Sequence, residues 1–247
     1  MPALSVLVPT YNEAGNAAPL VRRVTSALAD IDFELIFIDD STDGTERVLE
    51  DLARDQPRLR VVHRTGRRGL ATAVTEGIAL AMGDVVCVLD ADLQHPPESL
   101  PALRQALEQA GADLAIASRF VPGGSYELSP ARRFVSRVAT ILARTLLRRA
   151  RSVSDPLSGF FAFRRAVVDG VRLQPIGFKI LLEILVRGRI ARVVEVPYRF
   201  EARGAGESKL TLAQNLEYLR QLLLLSTVRA SAVQRVTRPA GDSATSS

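Results

Sequence analysis

Cysteine and histidine are scarce in this 247-residue chain, and long apolar runs are missing altogether. A single cysteine, Cys87, excludes an intrachain disulfide framework and a cysteine metal cluster, and it fits a reducing, cytoplasmic setting. The best candidate for a membrane span, residues 221–228, is closed in by Arg220 and Arg229. It falls far short of the roughly 20 apolar residues a span needs, so no transmembrane helix is expected. Residues 1–9 are apolar but short and carry no basic leader, which suits a first strand better than a signal peptide. No Gly-x-Gly-x-x-Gly follows that strand and no Gly-x-x-x-x-Gly-Lys occurs anywhere. Dinucleotide and P-loop readings lose their main support.

The stretch from Asp84 to Glu98 reads Asp-Val-Val-Cys-Val-Leu-Asp-Ala-Asp-Leu-Gln-His-Pro-Pro-Glu. Its apolar run, residues 85–89, is a buried strand ending in a loop. If the extended conformation continues through Asp90 and Asp92, their carboxylates point to the same side. Two adjacent anions are then best explained by a divalent cation, Mg²⁺ or Mn²⁺, lying between them and a phosphate, with Gln94 adding an amide oxygen. Taken alone the motif reads equally well as a polar turn after a strand.

The surrounding chain repeats this pattern. Strands are expected over residues 4–8, 33–38, 59–63, 85–89 and 113–117, and helices over 16–28, 46–53, 70–82 and 98–110. Regular alternation argues for an α/β fold, a Rossmann-like and mostly parallel sheet with helices on both faces. Ligands bind at the carboxyl ends of such strands. Glu13, Asp40, Asp90 and Asp92 all fall there. One domain is expected over residues 1–228, with 229–247 as a flexible tail.

Charge divides the chain. Residues 1–120 carry 11 Lys+Arg against 18 Asp+Glu, a net of −7, whereas residues 121–247 carry 21 against 9, a net of +12. The second half calls for an anionic partner. Residues 131–151 hold seven arginines and no acid, and Phe134, Val135, Val138, Ile141, Leu142 and Leu146 recur among them at helical spacing. A basic amphipathic helix of this kind suits an anionic membrane surface; the alternative is an ordinary solvated helix packed on the core. Aromatic residues make up only 5% of the chain, so base stacking is poorly supported and nucleic acid is not expected as a partner. Residues 215–228 form a second amphipathic candidate, equally suited to the core, a membrane surface or an anchor subunit.

Several segments, taken together, resemble the family 2 glycosyltransferases of the GT-A fold. They are Pro9-Thr10-Tyr11-Asn12-Glu13, Asp39-Asp40 with Asp43-Gly44-Thr45, Gly69-Leu70, and residues 90–98. Further segments resemble the polyprenyl-phosphate (dolichol-phosphate) mannose synthase branch: Ala117-Ser118-Arg119-Phe120, Asp155-Pro156-Leu157-Ser158-Gly159-Phe160, Gly177-Phe178-Lys179 and Gly206-Glu207-Ser208-Lys209-Leu210. The resemblance runs in order over residues 4–212. It implies metal-dependent, inverting transfer of a sugar, mannose from GDP-mannose, to a polyprenyl monophosphate at the cytoplasmic membrane face. Carried over position by position, Pro9, Tyr11, Glu13, Asp40 and Asp90 hold the nucleotide sugar, and Asp90, Asp92 and Gln94 hold Mg²⁺ or Mn²⁺. Arg119, Arg132 and Ser136 receive the acceptor phosphate, within an acceptor- and membrane-facing part at about 119–155. Arg203 and Lys209 reach the donor phosphates from a loop, and Asp92 and Arg119 carry the chemistry.

A phosphate monoester with a second pKa near 6 is largely dianionic at neutral pH and attacks without a base. His63 and His95 are then bystanders, His95 as a loop residue or as a support behind the residues of the site. The near alternative is transfer of a glucosyl or amino-sugar group from a UDP-sugar. A hydroxyl acceptor would need a carboxylate base, for which Glu183 is the candidate, although Glu183 also suits a plain helical ion pair with Lys179. A catalytically retired nucleotide-sugar binder is a further alternative. Membrane attachment without a span leaves two routes, the 131–151 helix or a separate anchor subunit.

Overall fold

A computed structural model describes residues 2–66, 69–126, 130–201, 212–228 and 232–236. The first half alternates as expected. The elements are β1 (Leu4–Thr10), α1 (Ala14–Ala27), β2 (Phe33–Asp39), α2 (Thr45–Asp55), β3 (Leu59–His63), α3 (Leu70–Leu80), β4 (Val85–Val88), α4 (Leu100–Gln109) and β5 (Leu114–Ser118). The second half is less regular: β6 (Ser125–Tyr126), α5 (Pro130–Leu146), β7 (Phe161–Arg164), α6 (Ile180–Arg187), β8 (Arg192–Pro197), β9 (Arg199–Phe200), α7 (Leu212–Ser226) and β10 (Gln234–Val236). Eight strands form one sheet in the order β10-β8-β5-β7-β4-β1-β2-β3, and β6 pairs separately with β9.

Period-2 alternation divides the buried side chains between two cores. Leu7, Ile36, Ile38, Val86, Val88, Phe161 and Phe163 face one side, where they meet α3, α6 and parts of α5 and α7. Val6, Val8, Leu35, Phe37, Cys87 and Ala162 face the other, against α1, α2 and α4. Both faces are covered, which is why the first strands are mostly apolar, interrupted by the buried polar residues Ser5 and Glu34. Each large side chain removed completely from water contributes roughly 1.5–3 kcal/mol, and Phe37, Phe160, Phe161 and Phe163 are all fully buried.

Seven strands of this sheet pair in parallel and β7 runs antiparallel between β4 and β5. The reversal positions the site. Phe161, where β7 begins, lies opposite Val88, where β4 ends, and opposite Ile116 near the end of β5. The loop that precedes β7 is therefore delivered to the carboxyl edge of the sheet.

Two expectations are corrected by the fold. The basic segment 131–151 is not one helix: α5 stops at Leu146, Leu147 is extended and buried, and Arg148–Ser152 forms a separate 3-10 turn. Burial of Leu147 and Ala150 in the core pulls the chain out of the helical path. The tail expected from 229 is interrupted by β10, which pairs in parallel with β8 through Gln234, Arg235 and Val236. Val233 is buried, and Arg235 reaches Ser154 Oγ at 3.1 Å and Glu195 at 3.3 Å. Three residues are too few to announce a strand by periodicity.

Candidate active site

In the sheet β4, β1 and β2 are neighbours, so their carboxyl ends bring Asp90, Asp92, Glu13 and Asp40 to one edge. Hydrogen bonds stitch the loops after β1 and β2 together. Asn12 N–H donates to Ser41 Oγ at 2.7 Å, Thr42 N–H to Asn12 Oδ1 at 3.0 Å, and Glu13 N–H to Thr45 Oγ1 at 3.1 Å. Asn12 adopts a left-handed φ of 57°, which asparagine tolerates better than most residues. Pro9 is buried in β1 opposite Ile38, and Tyr11 is half-buried in the loop. Glu13 stands at the start of α1 and accepts from Asn16 Nδ2 at 2.6 Å.

Asp40 is buried and engaged by Arg64: Arg64 Nε lies 2.7 Å from Oδ1 and Nη2 2.5 Å from Oδ2, while Gly69 N–H donates to Oδ2 at 3.1 Å. Asp39, one residue earlier, takes His63 Nδ1 at 2.8 Å and the Ser41 hydroxyl. His63 thus belongs to the structure beneath the loop.

The Asp90–Asp92 segment departs from the expected extension. β4 ends at Val88, the chain turns through Ala91 and Asp92, and Leu93 has φ 62°. A left-handed leucine costs roughly 1 kcal/mol. Asp92 is buried and its Oδ1 accepts Gln94 N–H at 3.2 Å, whereas the Asp90 side chain is 35% exposed. A turn, not strand alternation, therefore sets the two carboxylates. Gln94 fastens this turn to Glu201: its amide nitrogen donates to Glu201 O at 3.2 Å, and Glu201 N–H donates to Gln94 O at 3.0 Å. Arg23 on α1 braces the same region, with Nη2–Glu98 Oε2 at 2.7 Å and Nη1–Glu201 Oε2 at 3.2 Å.

His95 supports the turn from beneath. Its Nδ1 accepts Asp90 N–H at 3.1 Å, which places the proton of the neutral ring on Nε2, and the ring stacks on Phe160 at 5.3 Å with Tyr198 and Phe200 edge-on. Burial pushes its pKa down to about 4, so the ring is uncharged at neutral pH.

Across from the acidic turn lies a cationic wall. Arg119, just past β5, forms a bidentate pair with fully buried Asp155, Nε–Oδ2 at 2.8 Å and Nη2–Oδ1 at 2.9 Å, and its own N–H donates to Oδ2 at 3.2 Å. Asp155 is positioned by Glu195, which accepts the N–H groups of Ser154 and Asp155 at 2.9 and 3.1 Å. Gly159 ends this loop against Asp90: a Cβ there would stand 3.0 Å from Asp90 Oδ2. Lys179 is half-buried and its Nζ donates to Leu157 O at 3.1 Å. Burial pulls the Lys179 pKa down to about 8, Arg119 acts in the same sense, and Asp90 and Asp155 oppose it.

Three further expectations meet the structure as follows. Arg132 and Ser136 lie on α5, Ser136 half-buried; the side chain of Arg132, like the whole of Arg203 and Lys209, lies outside the described residues. The expected Lys179–Glu183 ion pair does not form. Glu183 is buried and instead accepts Gln174 N–H at 2.7 Å and pairs with Arg187 at 2.5 Å, because Lys179 sits just before α6 with its side chain directed to Leu157. Sequence reasoning assigned no role to Arg64, Asp155 or Gly159; for Asp155 and Gly159 the motif at 155–160 was a signal, while the Arg64–Asp40 pair has none because its partners are 24 positions apart.

Comparison with known proteins places this arrangement. The model of the family described as "Glycosyl transferase family 2" matches residues 5–172. The chain is 46% identical over 224 residues to a dolichol-phosphate mannosyltransferase from Pyrococcus furiosus, covering 90% of this chain but 63% of that protein's length. It is 37% identical over 232 residues to the dolichol-phosphate mannosyltransferase of Saccharomyces cerevisiae, covering 88% of this chain and 85% of the yeast protein. Among solved structures it resembles glucosyl-3-phosphoglycerate synthase from Mycobacterium tuberculosis in complex with Mn²⁺, UDP-glucose and phosphoglyceric acid. That match has a TM-score of 0.69 and 23% identity, covers 93% of this chain and 82% of the other, and shows the shared GT-A fold. With the family model spanning most of the first two thirds of the sequence and the yeast relative matched along 85% of its own length, the chain belongs to glycosyl transferase family 2.

Proposed function

We propose that the chain transfers mannose, with inversion, from GDP-mannose to a polyprenyl monophosphate. The observation that carries this reading is the loop 155–159, which grips Arg119 through Asp155 at one end and rests on Asp90 through Gly159 at the other. Acidic groups suited to a cation on a diphosphate and basic groups suited to a second phosphate are thereby held side by side. The relatives named for dolichol-phosphate mannosyl transfer support the mannosyl group and the lipid-phosphate acceptor.

In this reading Pro9, Tyr11, Glu13 and the loop fastened by Asp40 and Arg64 hold the nucleoside, and Arg203 and Lys209 reach the donor phosphates. Asp90, Asp92 and Gln94 offer hard oxygen donors that fit Mg²⁺ or Mn²⁺, and the open face at Gly159 leaves Asp90 Oδ2 uncrowded. Among the described residues no cluster of three His, Cys, Asp or Glu side chains could hold a metal alone, so water and diphosphate oxygens would complete the coordination. Bound there, such a cation supplies Lewis-acid stabilisation of the departing nucleoside diphosphate. Arg119, with Arg132 and Ser136, orients the acceptor phosphate, one of whose oxygens forms the new bond to the anomeric carbon as the bond to the diphosphate breaks with its electron pair. No protein base is needed. His95 is neutral with Nδ1 committed to Asp90 N–H, and Glu183 is committed to Gln174 and Arg187, which disfavours a hydroxyl acceptor.

Attachment to an anionic membrane surface, in this reading at the cytoplasmic face, is supported by the exposed apolar and basic side chains of α5 and α7. Phe134 and Ile141 on α5 are 71% and 60% exposed, Leu216 and Leu223 on α7 are 67% and 63% exposed, and Arg133, Arg137, Arg144 and Arg220 are exposed on the same two helices. Tyr218 Oη donates to Ala139 O at 2.6 Å and joins the pair. No helix among the described residues is long and apolar enough to cross a membrane. Flotation with anionic but not neutral vesicles is expected; no preference for anionic vesicles would overturn this part of the reading, and recovery with neither would favour a separate anchor subunit.

The deciding assay is transfer from labelled GDP- and UDP-sugars to a polyprenyl phosphate with Mg²⁺ or Mn²⁺, comparing the native chain with Asp92→Ala. Lipid-extractable label from GDP-mannose, lost in the variant, is expected. Label from a UDP-sugar instead would move the assignment to a glucosyl or amino-sugar transferase.

A further inference from the structure

We propose that Lys179 binds the phosphate of the lipid acceptor beside Arg119, and that it does so at the junction between the acidic turn and the exposed helix pair. This rests on transfer to a lipid phosphate as argued above, and adds a residue to it.

Lys179 is held from two sides. On one, Nζ donates to Leu157 O at 3.1 Å, within the loop whose Asp155 pairs with Arg119 and whose Gly159 abuts Asp90. On the other, Gln221 of α7, itself buried, donates through Nε2 to Lys179 O at 3.1 Å. Two residues earlier, Gly177 turns with φ 65° against Glu217 of α7, whose Cβ would lie 3.5 Å from an added methyl. The lysine backbone is thus fastened to the helix that exposes Leu216, Leu219 and Leu223, while its ammonium is fastened to the loop that carries the reaction's charged groups.

The chemistry of the acceptor selects this position. A polyprenyl phosphate is an amphiphile, and a chain lying along the exposed leucines of α7 would present its phosphate near the junction of α7 with the start of α6. Lys179 is the cation at that junction. An ammonium has three N–H donors and Leu157 O takes one, leaving donor capacity for phosphate oxygens. Burial and then Arg119 disfavour the charged ammonium in the empty protein while Asp90 and Asp155 favour it, and a dianionic phosphate within its reach would favour it further. The Phe178 ring, 4.7 Å from Nζ, limits the ammonium's alternatives.

Steady-state transfer is measured on the full chain with polyprenyl phosphate and labelled GDP-mannose varied in turn, for the native protein, Lys179→Met and Lys179→Arg. The acceptor KM is expected to rise about tenfold or more in Lys179→Met, with the donor KM changed by no more than about twofold, and Lys179→Arg should recover most of the loss. An acceptor KM unchanged in Lys179→Met, or a rise confined to the donor, overturns the inference while leaving the proposed function standing. If Lys179→Met does not fold, as thermal unfolding will show, Lys179→Gln removes the charge while retaining a polar N–H donor on that side chain and is read the same way. A native chain that moves no sugar to the lipid phosphate would overturn the proposed function and this inference with it.

Discussion

Arg64 holds Asp40 through both carboxylate oxygens, at 2.7 and 2.5 Å, in a pair whose two side chains are almost completely buried. Arg64 Nη1 also reaches Thr72 Oγ1 at 3.2 Å and Glu76 at 3.5 Å, so the pair joins β2 to α3 across the edge where the nucleoside is proposed to lie. Removing one partner would leave the other charge buried and unpaired. Arg64→Met is expected to destabilise the chain by about 3 to 5 kcal/mol in denaturant unfolding. The double variant with Asp40→Asn should recover part of that loss, because no isolated charge then remains.

Asp155 is not placed in contact with substrate, yet it sets the orientation of Arg119 through three hydrogen bonds. Asp155→Asn keeps the shape and removes the charge. Transfer should fall by about tenfold to a hundredfold, mainly through the acceptor KM, while calorimetric binding of GDP stays near the native value. Equal weakening of nucleotide binding would show that the loop supports the whole site and not the arginine alone.

Gly159 abuts Asp90 closely. In Gly159→Ala the new methyl would lie 3.0 Å from both Asp90 Oδ2 and His95 Cε1, tighter than ordinary contact, so the carboxylate must move. The Mn²⁺ concentration giving half-maximal transfer should rise by about tenfold, with thermal stability little altered. Metal titration of both proteins checks this.

Glu34 provides a pH-dependent contribution to stability far from the site. Burial pushes its pKa up, but Ser5 Oγ at 2.6 Å, Met82 N–H at 2.6 Å and Arg60 at 2.8 Å outweigh burial, and the net shift is downward. With the folded pKa below the unfolded one, the unfolded chain binds more protons in the interval between them. Stability is therefore fully present above the ordinary glutamate range and is lost as pH falls through the folded pKa. Unfolding midpoints of the native chain and Glu34→Gln should converge as the pH is lowered through that interval.

The sequence by itself determined the alternating half of the fold and the residues at its strand ends. Runs such as residues 35–38 and 85–89 are apolar and rich in β-branched residues because both sheet faces are covered, and that demand is written locally. Acidic residues just past β1, β2 and β4 are local too, so Glu13, Asp40, Asp90 and Asp92 could be named without coordinates. The amphipathic pattern of α5 was also legible, although its end at Leu146 was not, since burial of Leu147 is a tertiary matter.

Only the tertiary structure decided who pairs with whom. β7 pairs with both β4 and β5, a long-range arrangement invisible to periodicity, and its reversal carries Asp155 and Gly159 to Arg119 and Asp90. The left-handed Leu93 turns the acidic pair where alternation would have kept it extended. Charge partners followed the same rule: Arg64 went to Asp40, Arg187 to Glu183, and Lys179 to Leu157 O, because buried charged groups take whichever partner the packed chain brings within reach.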